Sequence, residues 1–281
     1  MSYNDFEVTF WGVRGSSPTF GPDMREFGGN TSCVQIQIGN RLLIFDAGTG
    51  IQTLGRNLLN RKKDIKGHIF ITHTHWDHIQ GLPFFRPFFH KKNTFQIYGQ
   101  RKSNLSFSSV IKDIMKYPYS PIRWDNMEAD LNFKEIDSED IIDIGDGITT
   151  KSIKTDHPDD CLAYRVDYKN KSCCYITDLE HSKEIDEELK RFVKGTDILI
   201  YDSNFTDDEY YGAFDKPNKK GWGHSTWQKG VRLAKEASVG KLVLFHHKLE
   251  RTDDELLSIE SKAKNNYKKT VVAREGMKIH I

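Results

Sequence analysis

Nothing in this chain looks built for a membrane. No apolar run approaches the ~20 residues of a spanning helix, and the start, MSYNDFEVTFWG, lacks the basic end and apolar core of a secretory signal. Charge of one sign is also missing. Lys and Arg number 41 against 40 Asp and Glu, so there is no broad basic field of the kind a dedicated nucleic-acid binder carries. A local basic patch stays compatible with that balance. Four cysteines, Cys33, Cys161, Cys173 and Cys174, form no CxxC pair and no disulfide-framework spacing. They read as small packed residues in a reducing cytoplasm, the compartment expected here. No linker-like composition shift and no repeat divides the 281 residues, so a single domain over 1–281 is expected.

What is present is histidine in one tight cluster. Three His and one Asp fall within the six positions HTHWDH, from His73 to His78, out of 11 His in the whole chain. The apolar stretch His68 to Thr72 in front of them reads as a buried strand. Positions two apart at a strand end share a side, so His73 and His75 project together. Asp77 and His78 follow in the turn, within reach of a second point. Neutral imidazoles with a carboxylate suit zinc or a similar first-row metal, and two close ions would use all four groups.

Strand and helix patterns alternate on both sides of that cluster. Strands are expected at Glu7 to Arg14, Cys33 to Ile38 and Arg41 to Asp46, with a long Gly/Pro/Ser-rich loop between the first two. In DAGTG, Asp46 either orients a neighbouring histidine or caps the helix Ile51 to Asn60. Phe84, Phe85, Phe88 and Phe89 lie close behind the histidines. They serve as stacking faces for a base or as wall and core, and Pro83 and Pro87 argue for a shaped loop there. Further strands are read at Phe95 to Gly99, Leu131 to Ile136, Ile148 to Thr155, Leu162 to Tyr168, Cys173 to Thr177, Asp197 to Tyr201 and Lys241 to Phe245. The acidic DSEDIIDIGDG reads as a solvated turn. Helices are expected at Ser103 to Lys116, Ser182 to Lys194, Trp227 to Ala237 (capped by His224 and Ser225) and Leu256 to Tyr267, with strand character over Thr270 to Ile281. Alternation of this kind says α/β and no more.

HTHWDH resembles the HxHxDH signature of the metallo-β-lactamase superfamily, and the resemblance continues along nearly the whole chain. It implies an αββα sandwich, two mixed β-sheets flanked by helices with metals at one edge. By that resemblance His73, His75 and His157 hold one ion, Asp77, His78 and His246 the other, and Asp178 bridges them. Asp77 and His224 are the catalytic residues it implies. His247 adjoins His246 and is left as a supporting or substrate-facing residue. The implied cofactor is a pair of divalent ions. The thiolate-free shell suits zinc and admits manganese or iron.

GHSTWQ selects among the reactions that two such ions can serve. His224 lies 22 residues before His246, and the phosphodiesterase branch of the superfamily, ribonuclease Z included, carries a similar GHST at a similar place. The resemblance makes His224 a general acid or phosphate clamp. The implied reaction is attack on a phosphodiester by a hydroxide generated between the ions, with His224 assisting the leaving group. Ribonuclease Z bears a substrate arm between the lone His and the bridging Asp, whereas here only 21 residues separate His157 from Asp178. With the balanced charge, that favours a small substrate, most of all 3′,5′-cyclic nucleotides, without an extended nucleic-acid surface. The alternatives are cleavage of tRNA 3′ ends or single strands, and a signalling-nucleotide binder with no need of His224 as an acid.

Phe84, Tyr210, His224 and Ser225 are the expected substrate contacts. Asp202 either orients His224 or serves a metal ligand. The loop Thr206 to Trp222, with Tyr210, Tyr211, Phe214, Lys216, Lys219 and Lys220, is either a lid or an exposed connection, and a lid reaching into a partner's site would make the protein a homodimer.

Overall fold

The computed structural model describes residues 6–181, 183–213 and 217–281. Phe214 and Lys216 of the expected lid lie outside these. Contacts group the chain into two compact units, 1–18 with 30–137 and 275–281, and 19–29 with 138–274.

The first unit is built on one mixed sheet. Its strands are β1 (Phe6–Gly12), β2 (Cys33–Ile38), β3 (Arg41–Phe45), β4 (Lys66–Phe70), β5 (Thr94–Gly99) and β6 (Asp130–Glu135), with β14 (Lys278–His280) at the opposite edge. The order is β14-β1-β2-β3-β4-β5-β6. β14 through β3 pair antiparallel, and β3 through β6 pair parallel. β2 shows the expected alternation, yet its polar face is covered, with Gln35 accepting a hydrogen bond from the Trp11 indole at 2.9 Å. Helix α1 (Ile51–Leu59) buries Ile51, Leu54 and Leu58, three positions on one helical stripe. They join Ile44, Ile69, Ile97, Phe85, Phe88 and Phe95 in the core. Behind the histidines the chain forms a short helix, α2 (Trp76–Ile79), and two 3₁₀ turns that each carry a proline, Pro83 or Pro87, at their second position. A proline lacks the N–H that a first helical turn leaves unpaired, so these two start turns that they could not continue.

The expected helix at Ser103 to Lys116 is shorter, α3 (Phe107–Asp113), because the Ser106 hydroxyl accepts from the Ser109 N–H and sets its start.

The second unit repeats the same mixture in another order. Its sheet runs β13-β12-β11-β10-β9-β8-β7, from β7 (Ile141–Gly145), β8 (Ile148–Thr155), β9 (Cys161–Tyr168), β10 (Lys171–Ile176), β11 (Ile198–Asp202), β12 (Lys241–Phe245) and β13 (Thr270–Val272). β7 to β10 pair antiparallel and β10 to β13 parallel. Strand β7 corrects the reading of DSEDIIDIGDG as a turn. It is an edge strand with Ile144 buried and Ile141 exposed, and its acidic neighbours are a usual guard against edge-to-edge pairing. Helices α4 (Lys183–Val193), α6 (Trp227–Glu236) and α7 (Asp253–Asn266) flank this sheet. Leu189, Val193, Val231, Leu256 and Ile259 pack with Leu199, Tyr201 and Leu242. A short helix, α5 (Asp207–Tyr211), stands where an irregular loop was expected. Thr206 and Glu209 form a reciprocal capping box at its start.

Two mixed sheets, each flanked by helices, are the fold class expected.

Candidate metal centre

In the first unit the donors gather where β3 and β4 end side by side, with Phe45 opposite Phe70. Asp46, the next residue after β3, sits in the left-handed region at φ 59. That turns its fully buried carboxylate toward the segment leaving β4, where it accepts from the Thr72 N–H at 2.8 Å and the Thr72 hydroxyl at 3.0 Å. Its other oxygen takes the Nδ1–H of His78 at 2.7 Å. This settles the choice left open for Asp46, because helix α1 has Gly50 at its cap position and no side-chain cap. Nε2 of His78 faces away from that bond and lies 3.1 Å from Asp77 Oδ2. The ring of His73 is 4.4 Å from that of His75 and 4.3 Å from that of His78. The Gly/Pro/Ser-rich loop has a task here, since the Ser16 N–H donates to Asp77 Oδ2 at 2.7 Å. Gly48 is required by close approach. A Cβ there would stand 2.3 Å from the Asp77 carbonyl oxygen.

In the second unit three adjacent parallel strands deliver three donors. Ile176 of β10, Tyr201 of β11 and Leu244 of β12 lie level, so Asp178, Asp202 and His246 leave from the carboxyl ends, where α/β sheets keep their ligands. Asp178 and His246 are both left-handed, at φ 55 and 57. Such backbone in non-glycine residues is sparsely populated and clusters at functional sites. Asp178 Oδ2 accepts from the Thr177 hydroxyl at 2.6 Å and lies 3.3 Å from His246 Nε2. Its Oδ1 lies 3.8 Å from His157 Nε2 and 3.7 Å from His224 Nδ1. His157 gives its Nδ1–H to the Gly223 carbonyl at 2.7 Å, so Nε2 is the atom left for a metal. That pattern, a ring nitrogen held by an oxygen acceptor, is how metal-binding imidazoles are oriented.

His224 gives its Nδ1–H to Asp202 at 3.0 Å, which makes Asp202 its orienting partner. By distance alone, His157, Asp178 and His224 form one possible donor group and Asp202, His224 and His246 another. A ring whose Nδ1–H is committed to Asp202 has only Nε2 left for a further contact.

Several expected contacts lie elsewhere. Ser225 is fully buried, with its hydroxyl 2.8 Å from the Tyr201 hydroxyl and 2.9 Å from His181 Nε2. It does not cap α6 either; Thr226 does, accepting from the Lys229 N–H. Tyr210 is buried and donates to Glu180 at 2.5 Å, so it is a strut and no open stacking face. Phe84 is 56% exposed, while Phe85 and Phe88 are core. His247 faces the interior, its Nε2 bonding the Ala273 carbonyl at 2.9 Å.

Glu180, His181 and Asp186 were not found from the sequence, and no local pattern marks them. Burial alone would raise the Glu180 carboxyl. The Tyr210 hydroxyl and the N–H groups of Gly221 and Gly223 outweigh it and hold the pKa below the usual value.

A model of the β-lactamase superfamily domain matches residues 41–247, well over half of the chain. The chain belongs to the metallo-β-lactamase superfamily. Within the superfamily its similarity lies with the ribonuclease Z and phosphodiesterase branch. It is 21% identical to a ribonuclease Z of Archaeoglobus fulgidus over 98% of both chains. The metallo-β-lactamase fold protein YhfI from Bacillus subtilis superposes with a TM-score of 0.74, at 21% identity, over 99% of this chain and 100% of that one. Human tRNase Z, short form, gives a TM-score of 0.67 at 20% identity, covering 97% of this chain and 98% of its own. Superfamily fold and donor set are those of a metal-dependent phosphodiester hydrolase, with donors enough for a dinuclear site. Among the described residues no helix is long and apolar enough to cross a membrane.

Proposed function

We propose that this superfamily member cleaves phosphodiester bonds in RNA, as its ribonuclease Z relatives are named for doing. The observation that carries the reading is the His224–Asp202 pair beside Asp178, in a chain similar to ribonuclease Z over almost its full length. In this reading His73, His75 and His157 would hold one ion and Asp77, His78 and His246 another, with Asp178 a further donor to the pair. Imidazole and carboxylate donors without thiolate suit zinc, and manganese or iron by the same chemistry. When bound, such a pair lowers the pKa of water and neutralises charge on a phosphoryl oxygen.

The rest of the work belongs to side chains of this protein. Asp46 and the Gly223 carbonyl hold the Nδ1–H of His78 and His157, which fixes their tautomers. His224 carries a proton on Nε2 to the leaving oxygen, and Asp202 steadies the ring through Nδ1. In the segment before it, Trp222 and Tyr211 are more than half exposed. Lys219 Nζ lies 3.7 Å from the Trp222 ring centroid, and Lys220 Nζ 5.3 Å from that of Tyr211. Aromatic faces with lysines suit single-stranded nucleic acid. The buried cysteines, none of them in a disulfide among the described residues, fit a cytoplasmic setting.

A second reading, hydrolysis of 3′,5′-cyclic nucleotides, is favoured by the hairpin β9–β10. It fills the interval from His157 to Asp178 with two paired strands and leaves no arm there. The two readings separate in one assay of metal-loaded protein on a 3′-extended RNA, a linear dinucleotide and cyclic mononucleotides. Faster cleavage of the RNA is expected. Turnover of cyclic nucleotides with intact RNA would install the second reading.

A further inference from the structure

Behind the His224–Asp202 pair lies a second set of hydrogen bonds, built on the fully buried Tyr201 and Ser225. Tyr201 precedes Asp202 at the end of β11, and Ser225 follows His224. The two segments are therefore joined by two consecutive rungs, Asp202 to His224 at 3.0 Å and Tyr201 to Ser225 at 2.8 Å. His181 closes the inner rung. Its Nε2 meets the Ser225 hydroxyl at 2.9 Å and also the Tyr201 hydroxyl. Its Nδ1 is 2.5 Å from Asp186 Oδ1. Burial pushes the Tyr201 hydroxyl's pKa well up, so it remains a neutral hydroxyl.

Asp186, His181 and Ser225 follow the order of a hydrolytic triad. Ser225 is not the nucleophile of one, because it is fully buried and its oxygen already faces Tyr201. The arrangement has a different use. We propose that His181, braced by Asp186, is a positioning residue for His224. By clamping Tyr201 and Ser225 it sets the direction in which the next residue along each segment, Asp202 and His224, presents its side chain.

The segments have other ties, so losing His181 leaves them paired. The Phe205 N–H donates to the Ser225 carbonyl at 3.1 Å, and the Trp227 N–H to the Phe205 carbonyl at 3.2 Å. Thr226 also donates to Asp207 at 2.6 Å. The variant then keeps its fold while the aim of His224 relaxes. Misplacing a reacting group by about 1 Å costs on the order of a hundredfold in rate.

This inference rests on the phosphodiesterase reading for its kinetic arm alone. In the zinc-loaded protein, His181→Gln should lower kcat on a diester about ten- to hundredfold. KM and zinc content should not change. In a His224→Ala background the same substitution should add nothing, since a residue acting through His224 has no effect once that ring is gone. A spectroscopic arm needs no turnover. The imidazole Nδ1–H resonance of His224, held by Asp202, should shift or broaden in His181→Gln. Tyr201→Phe, which removes one hydroxyl, should do the same and serves in place of a His181 variant that fails to fold. An unmoved His224 resonance in the folded variant, or an equal loss of kcat with and without His224, overturns the proposal. A parent protein without diesterase activity would instead overturn the proposed function, and the resonance would still decide the role of His181.

Discussion

The carboxylate of Asp46 stands 2.7 Å from Nδ1 of His78, although 32 residues separate them in the chain. A left-handed residue at the end of one strand thus sets the tautomer of an imidazole beyond the next. Loss of such a partner typically costs about ten- to a hundredfold in metal affinity. Asp46→Asn keeps the size and tolerates the φ of 59, so the fold should survive and the affinity should fall. Chelator competition monitored by metal release checks this. Unchanged affinity would mean that Asp46 serves the turn alone.

Removing the His224 ring should affect turnover and little else. General acid catalysis is typically worth about 10² to 10⁴ in rate, and His224→Ala should lose that much kcat on a diester with full metal content. Asp202→Asn should fall in the same direction through the tautomer it no longer enforces. Parent-like rates in both variants would remove the acid role.

Gly223 leaves no room for a side chain. Its φ is +74, and an added Cβ would lie 2.3 Å from His157 Nδ1. In Gly223→Ala the ring of His157 must move, and the backbone strain costs about 1–3 kcal/mol. A lower melting temperature and a lower metal content are both expected, by calorimetry and elemental analysis. A variant with normal metal content would place His157 outside the metal centre.

Acid should weaken the second unit through Glu209. Burial alone would raise its carboxyl, but Arg251 at 2.5 Å, the Thr206 N–H and Lys248 hold it below the usual value. A group depressed on folding contributes stability above its unfolded pKa and loses it as pH falls through the folded one. Unfolding free energy should therefore drop as pH falls below about 4, and the drop should be smaller in Glu209→Gln. Arg251→Ala takes the guanidinium from a buried carboxylate, a change that costs up to roughly 3–5 kcal/mol, less what the Thr206 N–H and Lys248 still supply. Urea titrations at a series of pH values measure both effects. Equal pH slopes in parent and Glu209→Gln would contradict the pairing.

Much of the fold was legible because its signals are local. Alternating and continuous apolar runs marked most strands, whereas the reading of a helix from Leu256 passed over the Thr252–Glu255 capping box that starts it at Asp253. Strand β7 escaped because its three isoleucines lie among acidic residues, and an edge strand carries little apolar signal. Helix α5 escaped because five residues are too few for a periodicity.

By itself the sequence determined which side chains are available, how they are spaced along single strands and turns, and through its motifs which family they resemble. His73, His75, Asp77 and His78 could be named because six consecutive positions can hold them close without help from the rest of the chain. Only the tertiary structure showed what each of two neighbours touches. His246 joins Asp178 while His247 turns inward to Ala273. His224 meets Asp202 while Ser225 sinks beneath it. The physical reason is that such choices depend on a left-handed turn, a neighbouring strand's register and an oxygen contributed from far away in the chain, none of which local patterning encodes.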